Sequence, residues 1–249
     1  MKEAKFVLFG GGGAIGTALT HRLIDAGASV FVLGRDQEKL EALQARCGVG
    51  IGSVDATDPD SVEAGMKLAA EHLGGAPDGV ANLVGSIILK PAHLTSDAEW
   101  DETLRVNLSS SFFILRSAVK QMRTNGGGAI AFVSTVAAAR GLANHEAIAA
   151  AKAGVEGLAR SAAATYAGQK IRANVVAPAL TETPLSAPIL SSEIARKASL
   201  AMHPLGRLGA PEDVASALFW LLDPANSWVT GQTIGVDGGL GRVQTRARV

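Results

Sequence analysis

The chain has 249 residues, 47% of them apolar, enough to close one α/β core without metals or disulfides. Its 23 basic and 23 acidic side chains cancel, which argues against nucleic acid or an anionic membrane surface as the main partner. Cys47 is the only cysteine, which excludes an intrachain disulfide and a multi-cysteine metal site and fits a reducing compartment, and Tyr166 is the only tyrosine.

In chain order, short apolar runs alternate with helical patterns. Phe6–Phe9 is predicted as a buried strand, too short for a signal peptide or for a membrane span of about 20 apolar residues, so a soluble cytoplasmic protein is expected. A helix over Ile15–Ala26, a strand over Ser29–Leu33 and a helix over Gln37–Arg46 follow. Further strands are predicted at Gly50–Val54, Gly79–Val84, Ala129–Ser134 and Arg172–Ala177, and further helices at Trp100–Arg123, Ile148–Tyr166 and Pro211–Leu222. Continuous apolar strands between helices predict a parallel sheet covered on both faces. Right-handed crossovers make it a doubly wound, Rossmann-type three-layer sandwich, one domain over residues 1–249. Thr181–Ser192, rich in Thr, Pro and Ser, is expected to be a mobile loop over the site. Residues 241–249, with Arg242, Arg246 and Arg248, form a short tail, solvated or packed at an interface.

The first strand runs into Gly10-Gly11-Gly12-Gly13-Ala14-Ile15-Gly16 and then a helix, the order a dinucleotide site requires. Gly11, Gly13 and Gly16 meet the G-x-G-x-x-G spacing, and the helix N-terminus offers free N–H groups to a pyrophosphate. Gly10, Gly12, Gly13, Ile15 and Gly16 are the candidate contacts. The second strand ends in Leu33-Gly34-Arg35, with a guanidinium where an NAD site places a carboxylate. That favours the 2′-phosphate of NADP(H) over NAD(H), although Asp36 next door could neutralise Arg35.

These motifs make the sequence resemble the short-chain dehydrogenase/reductase family over about Phe6 to Leu240. In the family's T-G-x-x-x-G-x-G register the matched positions are Phe9, Gly10, Ala14 and Gly16, so its threonine and middle glycine are replaced. Asp55, followed by Ala56, matches the aspartate that in this family contacts the adenine. Asn82-Leu83-Val84-Gly85 is similar to the family's N-N-A-G, and Asn107 to its helix asparagine that anchors a relay water. Asn174 to Ala179 with Thr183 resembles N-x-V-x-P-G-x-x-x-T, which implies nicotinamide contacts at Pro178, Leu180 and Thr183. Pro204–Gly209 before Pro211–Ala215, and Thr230–Gln232 before Val236–Gly239, match late family segments. The resemblance also implies a homotetramer or homodimer packed through the two long helices and a segment near Trp228. Ala149, Ala153, Ala159 and Ala163 would either allow that close packing or face the chain's own sheet.

In this family a tyrosine four residues before a lysine supplies the proton, and the neighbouring ammonium lowers the phenol's pKa from about 10. Lys152 matches the lysine, which also holds the nicotinamide ribose, but four residues earlier stands Ile148. Thr135, thirteen before Ile148, matches the serine that polarises the substrate carbonyl; Ser134 is adjacent and a one-residue shift would exchange them. Tyr166 lies 14 residues beyond Lys152, about 21 Å along a helix, and is read as a packing residue. His145 and Glu146 are the nearest alternatives: an imidazole can donate at neutral pH, though such positions also serve as helix caps. Asn107, Thr135, Lys152 and His145 are therefore the candidate catalytic residues, and no metal site is expected. The implied activity is NADP(H)-dependent hydride transfer to or from a small carbonyl or enoyl substrate, such as a conjugated enoyl thioester, with non-standard proton delivery. A catalytically silent NADP(H)-binding sensor or assembly protein is the alternative, and a purely structural scaffold the third.

Overall fold

The computed structural model describes residues 1–244; Arg246 and Arg248 of the tail lie outside them, and Arg242 is exposed. Seven strands form one parallel sheet: β1 (Lys5–Phe9), β2 (Ser29–Gly34), β3 (Gly50–Ser53), β4 (Gly79–Asn82), β5 (Gly128–Val133), β6 (Ile171–Pro178) and β7 (Thr233–Val236). The spatial order is β3-β2-β1-β4-β5-β6-β7. Eight helices cover it: α1 (Ala14–Asp25), α2 (Gln37–Cys47), α3 (Pro59–Leu73), α4 (Asp97–Leu104), α5 (Ser110–Met122), α6 (Glu146–Tyr166), α7 (Glu193–Met202) and α8 (Pro211–Leu222).

Alternate residues of each strand serve opposite cores. Val7, Phe9, Phe31 and Phe132 pack with Met66 of α3, Ile114 of α5 and Val155 of α6. Phe6, Leu8, Val32 and Ala131 pack with Leu19 of α1, Leu40 of α2 and Leu218 of α8. Burying each such large side chain contributes about 1.5–3 kcal/mol. Ala159 and Ala163 belong to the first core, whereas Ala149, half-buried, and Ala153, exposed, lie outside both cores. The alanines thus divide between the sheet side and positions away from it.

The strand order reverses between β1 and β4, and the crevice at their C-terminal ends is where such sheets hold ligands. There Gly10 adopts φ +72°, and a methyl on it would lie 3.0 Å from the Leu83 carbonyl carbon and the Val84 nitrogen. Only a glycine lets the two turns close that tightly.

Two departures from the sequence expectations bear on the site. The helix predicted over Trp100–Arg123 begins at Asp97, behind a Ser96/Glu99 capping box, and is wound as a π turn over Arg105–Ser109. Hydroxyls satisfy carbonyls in the widened stretch: Ser110 Oγ donates to Val106 O (2.7 Å) and Ser111 Oγ to Asn107 O (3.0 Å). The edge strand β7 is short, with Gly235 inside it and alternately exposed residues, and lacks the apolar run that marks the other strands.

Candidate active site

The first half of the site is a groove of about 370 Å³ bounded by Gly10, Gly12, Gly13, Arg35, Asp55 and Ala56. Gly13 is the N-cap of α1; no side chain caps that end and no acidic residue stands in its first turn. Its N–H groups and the positive end of the helix dipole are therefore free for an anion, which is what a dinucleotide's pyrophosphate needs. Gly16 lies beneath this turn and not in the groove wall. A methyl there would sit 2.4 Å from Gly11 Cα and Gly11 O, so this glycine lets the helix seat on the turn.

Arg35 and Lys39 border the groove at the end of β2. Asp36 caps α2, accepting from Lys39 N at 3.2 Å, and pairs with the Lys39 ammonium. These bonds to Lys39 hold its carboxyl below the usual aspartate range. Its charge is directed at Lys39, and no bond to Arg35 forms. Asp55 Oδ1 accepts from Thr57 N (2.9 Å) and Thr57 Oγ1 (2.8 Å), bonds that lower its pKa, with the Arg35 and Arg105 guanidinium groups adding to the effect.

The second half is a cavity of about 260 Å³ that shares Leu83, Val84, Gly85 and Leu185 with the groove. It brings together Asn107, Thr135, His145, Ile148 and Lys152, with Ile15, Pro178, Leu180 and Thr183 also in its wall. Asn82 reaches neither space: its amide donates to Ser111 Oγ (2.9 Å) and its oxygen accepts from Val84 N (3.0 Å), bracing the turn after β4.

The π turn carries Asn107, fully buried, whose Nδ2 donates to Ser86 Oγ and Thr103 O, both at 3.0 Å. Its Oδ1 accepts from Ser86 N at 3.2 Å. A methyl on Gly85 would lie 3.1 Å from that Oδ1 and 3.5 Å from Lys152 Nζ, so three elements converge on Gly85. Lys152, on α6, is 7% exposed and donates to Val133 O at 2.9 Å. Burial lowers its pKa from 10.5 to about 8.

The two neighbouring hydroxyls are separated by their partners. Ser134 Oγ donates to Glu156 Oε1 at 2.8 Å and lies 3.3 Å from Lys152 O. Thr135 Oγ1 accepts from Ala137 N at 3.3 Å and donates to no group among the described residues. A hydroxyl proton is thus available at Thr135 and spent at Ser134.

Ile148, 5% exposed, lies one turn before Lys152 in the same wall. α6 begins two residues earlier than expected, at Glu146. His145 does not cap it: Nδ1 donates to Ala143 O at 2.7 Å, so in the neutral ring Nε2 holds the lone pair. Glu146 turns away and accepts from Ala92 N at 3.4 Å. Tyr166 packs against the first core at the far end of α6.

The distal wall comes from an excursion out of the sheet. The chain leaves after Thr181 and returns at Gly209, where Glu182 N donates to Gly209 O (2.8 Å) and Gly209 N to Leu180 O (3.0 Å). Ser186, buried, ties its start by donating to Thr181 O at 2.5 Å. Ser186, Ile189, Met202 and His203 from this excursion all line the cavity. Ser186 and His203 are not legible as site residues in the sequence. Both lie far along the chain from Lys152, and neither belongs to a spaced motif.

Comparison with known proteins agrees with this geometry. A family model described as enoyl-(acyl carrier protein) reductase matches residues 12–241. The chain is 36% identical over 241 residues to cis-4-hydroxycyclohexanecarboxylate dehydrogenase of Sinomonas cyclohexanicum, covering 95% of this chain and 96% of that protein. It is 35% identical over 246 residues to a 3-oxoacyl-(acyl-carrier-protein) reductase of Thermotoga maritima, covering 96% and 98%. The crystal structure of levodione reductase superposes with a TM-score of 0.92 at 30% identity, covering 98% of this chain and 100% of that one. With a sheet, a switch-point crevice and relatives of this kind, the chain belongs to the short-chain dehydrogenase/reductase family of oxidoreductases.

Proposed function

We propose that this protein is an NADP(H)-dependent oxidoreductase that moves a hydride to or from a small carbonyl or enoyl substrate, without the tyrosine that normally delivers the proton. One observation carries the reading: the anion-ready groove and the cavity holding Asn107, Thr135 and Lys152 share the wall Leu83–Gly85. A nicotinamide dinucleotide bound along that wall would supply the hydride chemistry.

The chain's own residues do the rest. The α1 N-terminus holds the pyrophosphate, Arg35 the 2′-phosphate, and Asp55 and Ala56 the adenine. Pro178, Leu180 and Thr183 cup the nicotinamide, and Lys152 orients its ribose. Thr135 polarises the substrate oxygen with a hydrogen bond from its free hydroxyl, keeping its own proton. With Ile148 in the wall, the proton comes from another group. Lys152, at about 8, can release one near neutral pH, and His145, with Nδ1 bonded to Ala143 O, is the other imidazole or amine candidate in that stretch of wall. Asn107 supports a polar path beside them.

NADPH fluorescence titration with carbonyl and enoyl turnover assays tests the reading; binding together with turnover is expected. A second reading, an NADP(H)-binding protein without catalysis, is favoured by the apolar Ile148 beside Lys152 and expects binding with no turnover. Failure of NADPH to alter its fluorescence would remove both. We further place the protein in the cytoplasm as a homotetramer or homodimer. The exposed aromatics Trp100, Phe112 and Trp228 support the assembly alone, Trp228 being 99% exposed, and sedimentation velocity tests it. Among the described residues no helix is long and apolar enough to cross a membrane.

A further inference from the structure

Lys152 stands in the wall of the substrate cavity, 7% exposed, and its Nζ donates to Val133 O at 2.9 Å. Among the described residues no carboxylate or guanidinium lines that cavity, and His145 and His203 are its other titratable side chains. Glu156, one turn further along α6, is engaged elsewhere. Its Oε1 accepts from Ser134 Oγ at 2.8 Å, and its Oε2 lies 3.9 Å from the Arg160 guanidinium. One turn back stands the apolar Ile148, and the π turn contributes the uncharged Asn107. The ammonium is thus bonded to a neutral carbonyl and faces no counter-ion.

Nor is its tip covered. Gly85, opposite, has no side chain: a methyl there would lie 3.5 Å from Nζ and 3.1 Å from Asn107 Oδ1. Gly85 borders both the dinucleotide groove and the cavity, so Nζ lies beside the place where the two spaces join. Burial lowers the amine's pKa to about 8, so a fraction of the chains holds it neutral at pH 7. The neutral amine can keep one N–H on Val133 O, and its lone pair then points away from that oxygen, which cannot donate.

We infer that Lys152 is a covalent capture site for small apolar aldehydes, which it holds as an imine when no dinucleotide is bound. The Nζ lone pair attacks the carbonyl carbon and the C=O π pair moves onto oxygen, which the free hydroxyl of Thr135, in the same cavity, receives with a hydrogen bond. Nitrogen loses a proton and oxygen gains one, giving a carbinolamine. Its oxygen then leaves as water while the nitrogen lone pair forms C=N. The net change is Lys–NH₂ plus RCHO to Lys–N=CHR plus water, with nothing oxidised or reduced. Leu142, Ile148, Ile189 and Met202 give the R group an apolar seat within about 260 Å³. Capture needs no hydride, so it stands apart from the proposed function.

The test incubates dinucleotide-free protein with hexanal at pH 7, quenches with sodium borohydride and locates hexyl-lysine by peptide mass mapping. Half-modification of Lys152 is expected at a hexanal concentration about tenfold or more below that for the exposed Lys67 and Lys197, because more of its amine is free. Acetaldehyde should modify Lys152 about tenfold less readily than hexanal, since it leaves the apolar seat empty, and should show little such difference at the exposed lysines. Ile148→Tyr, which fills that seat and sets a phenol beside the ammonium, should weaken capture at Lys152 about tenfold and leave Lys67 and Lys197 unchanged. Modification of Lys152 no readier than that of the exposed lysines, or no preference for hexanal over acetaldehyde, would overturn the inference in the wild type alone; capture undiminished in Ile148→Tyr would also overturn it. An unmodified Lys152 in a protein that binds NADPH and turns over would sink this inference and leave the proposed function standing. Capture without any NADPH binding would do the reverse.

Discussion

At the scale of single residues, Lys152 is the group whose environment does most to alter its chemistry. Below about pH 8 the folded chain holds its ammonium out of water, whereas the unfolded chain keeps it solvated. Between about 8 and 10.5 the unfolded chain binds more protons than the folded one, so the stability contribution of this residue rises with pH. Lys152→Met is therefore expected to raise the unfolding temperature at pH 7 by roughly 5–10 °C, from a gain on the order of 2–4 kcal/mol, while abolishing turnover. Thermal melts of both proteins from pH 6 to 10.5 check this, because the advantage of the variant must shrink toward zero across the upper part of that range. Ile148→Tyr makes the complementary change by placing a phenol one turn from that ammonium. Carbonyl reduction should rise by about 10²–10⁴, the usual contribution of a positioned acid, and an unchanged kcat would mean that another group already does the job. At the opposite end, Arg35→Ser should weaken NADPH binding by about 10- to 100-fold and leave NADH nearly untouched, since a charged contact to phosphate is lost. Parallel weakening of both dinucleotides would count against the 2′-phosphate role.

At the scale of elements, the β1–α1 turn and the π turn each trade regularity for function. Gly16→Ala would drive a methyl into Gly11, and the helix must move off the turn. A loss of about 2–4 kcal/mol is expected, along with weaker NADPH binding; urea melts and a fluorescence titration report the two separately. The strand–turn–helix order and Gly16 were both readable in the sequence, because glycine spacing states a backbone requirement directly. The π turn was not. Its cause is a set of side-chain bonds, Asn107 to Ser86 and Thr103 and the hydroxyls of Ser110 and Ser111 to freed carbonyls, which periodicity does not encode. β7 escaped for another reason: a four-residue edge strand containing a glycine has too little apolar length to stand out.

At the scale of the whole molecule, the doubly wound sheet followed from the alternation of apolar runs and helices, since only a parallel sheet buried on both faces needs strands of that kind. The distal wall of the cavity was beyond reach, because it joins Leu142, Ile189, His203 and Leu240 from segments with no common spacing. Stability rests on the two cores more than on charge. Most ion pairs of the described residues lie at the surface, as with Lys120–Glu63 and Lys197–Glu193, and such pairs contribute little. Raising NaCl from 0.05 to 0.5 M should shift the unfolding temperature by less than about 2 °C; a larger fall would point to an electrostatic network.

The excursion between Thr181 and Gly209 starts and finishes at one parallel bridge. Its two ends are held together by a backbone bridge just beyond the sheet, so its interior can be recast without disturbing the strands that hold the dinucleotide. It is an interchangeable cartridge. Grafting the corresponding stretch of a relative between Ser186 and Gly209, with Thr183 and Leu185 kept in place, would transplant a substrate preference onto an unaltered cofactor platform, and natural divergence has the same freedom to change what is reduced while keeping what reduces it.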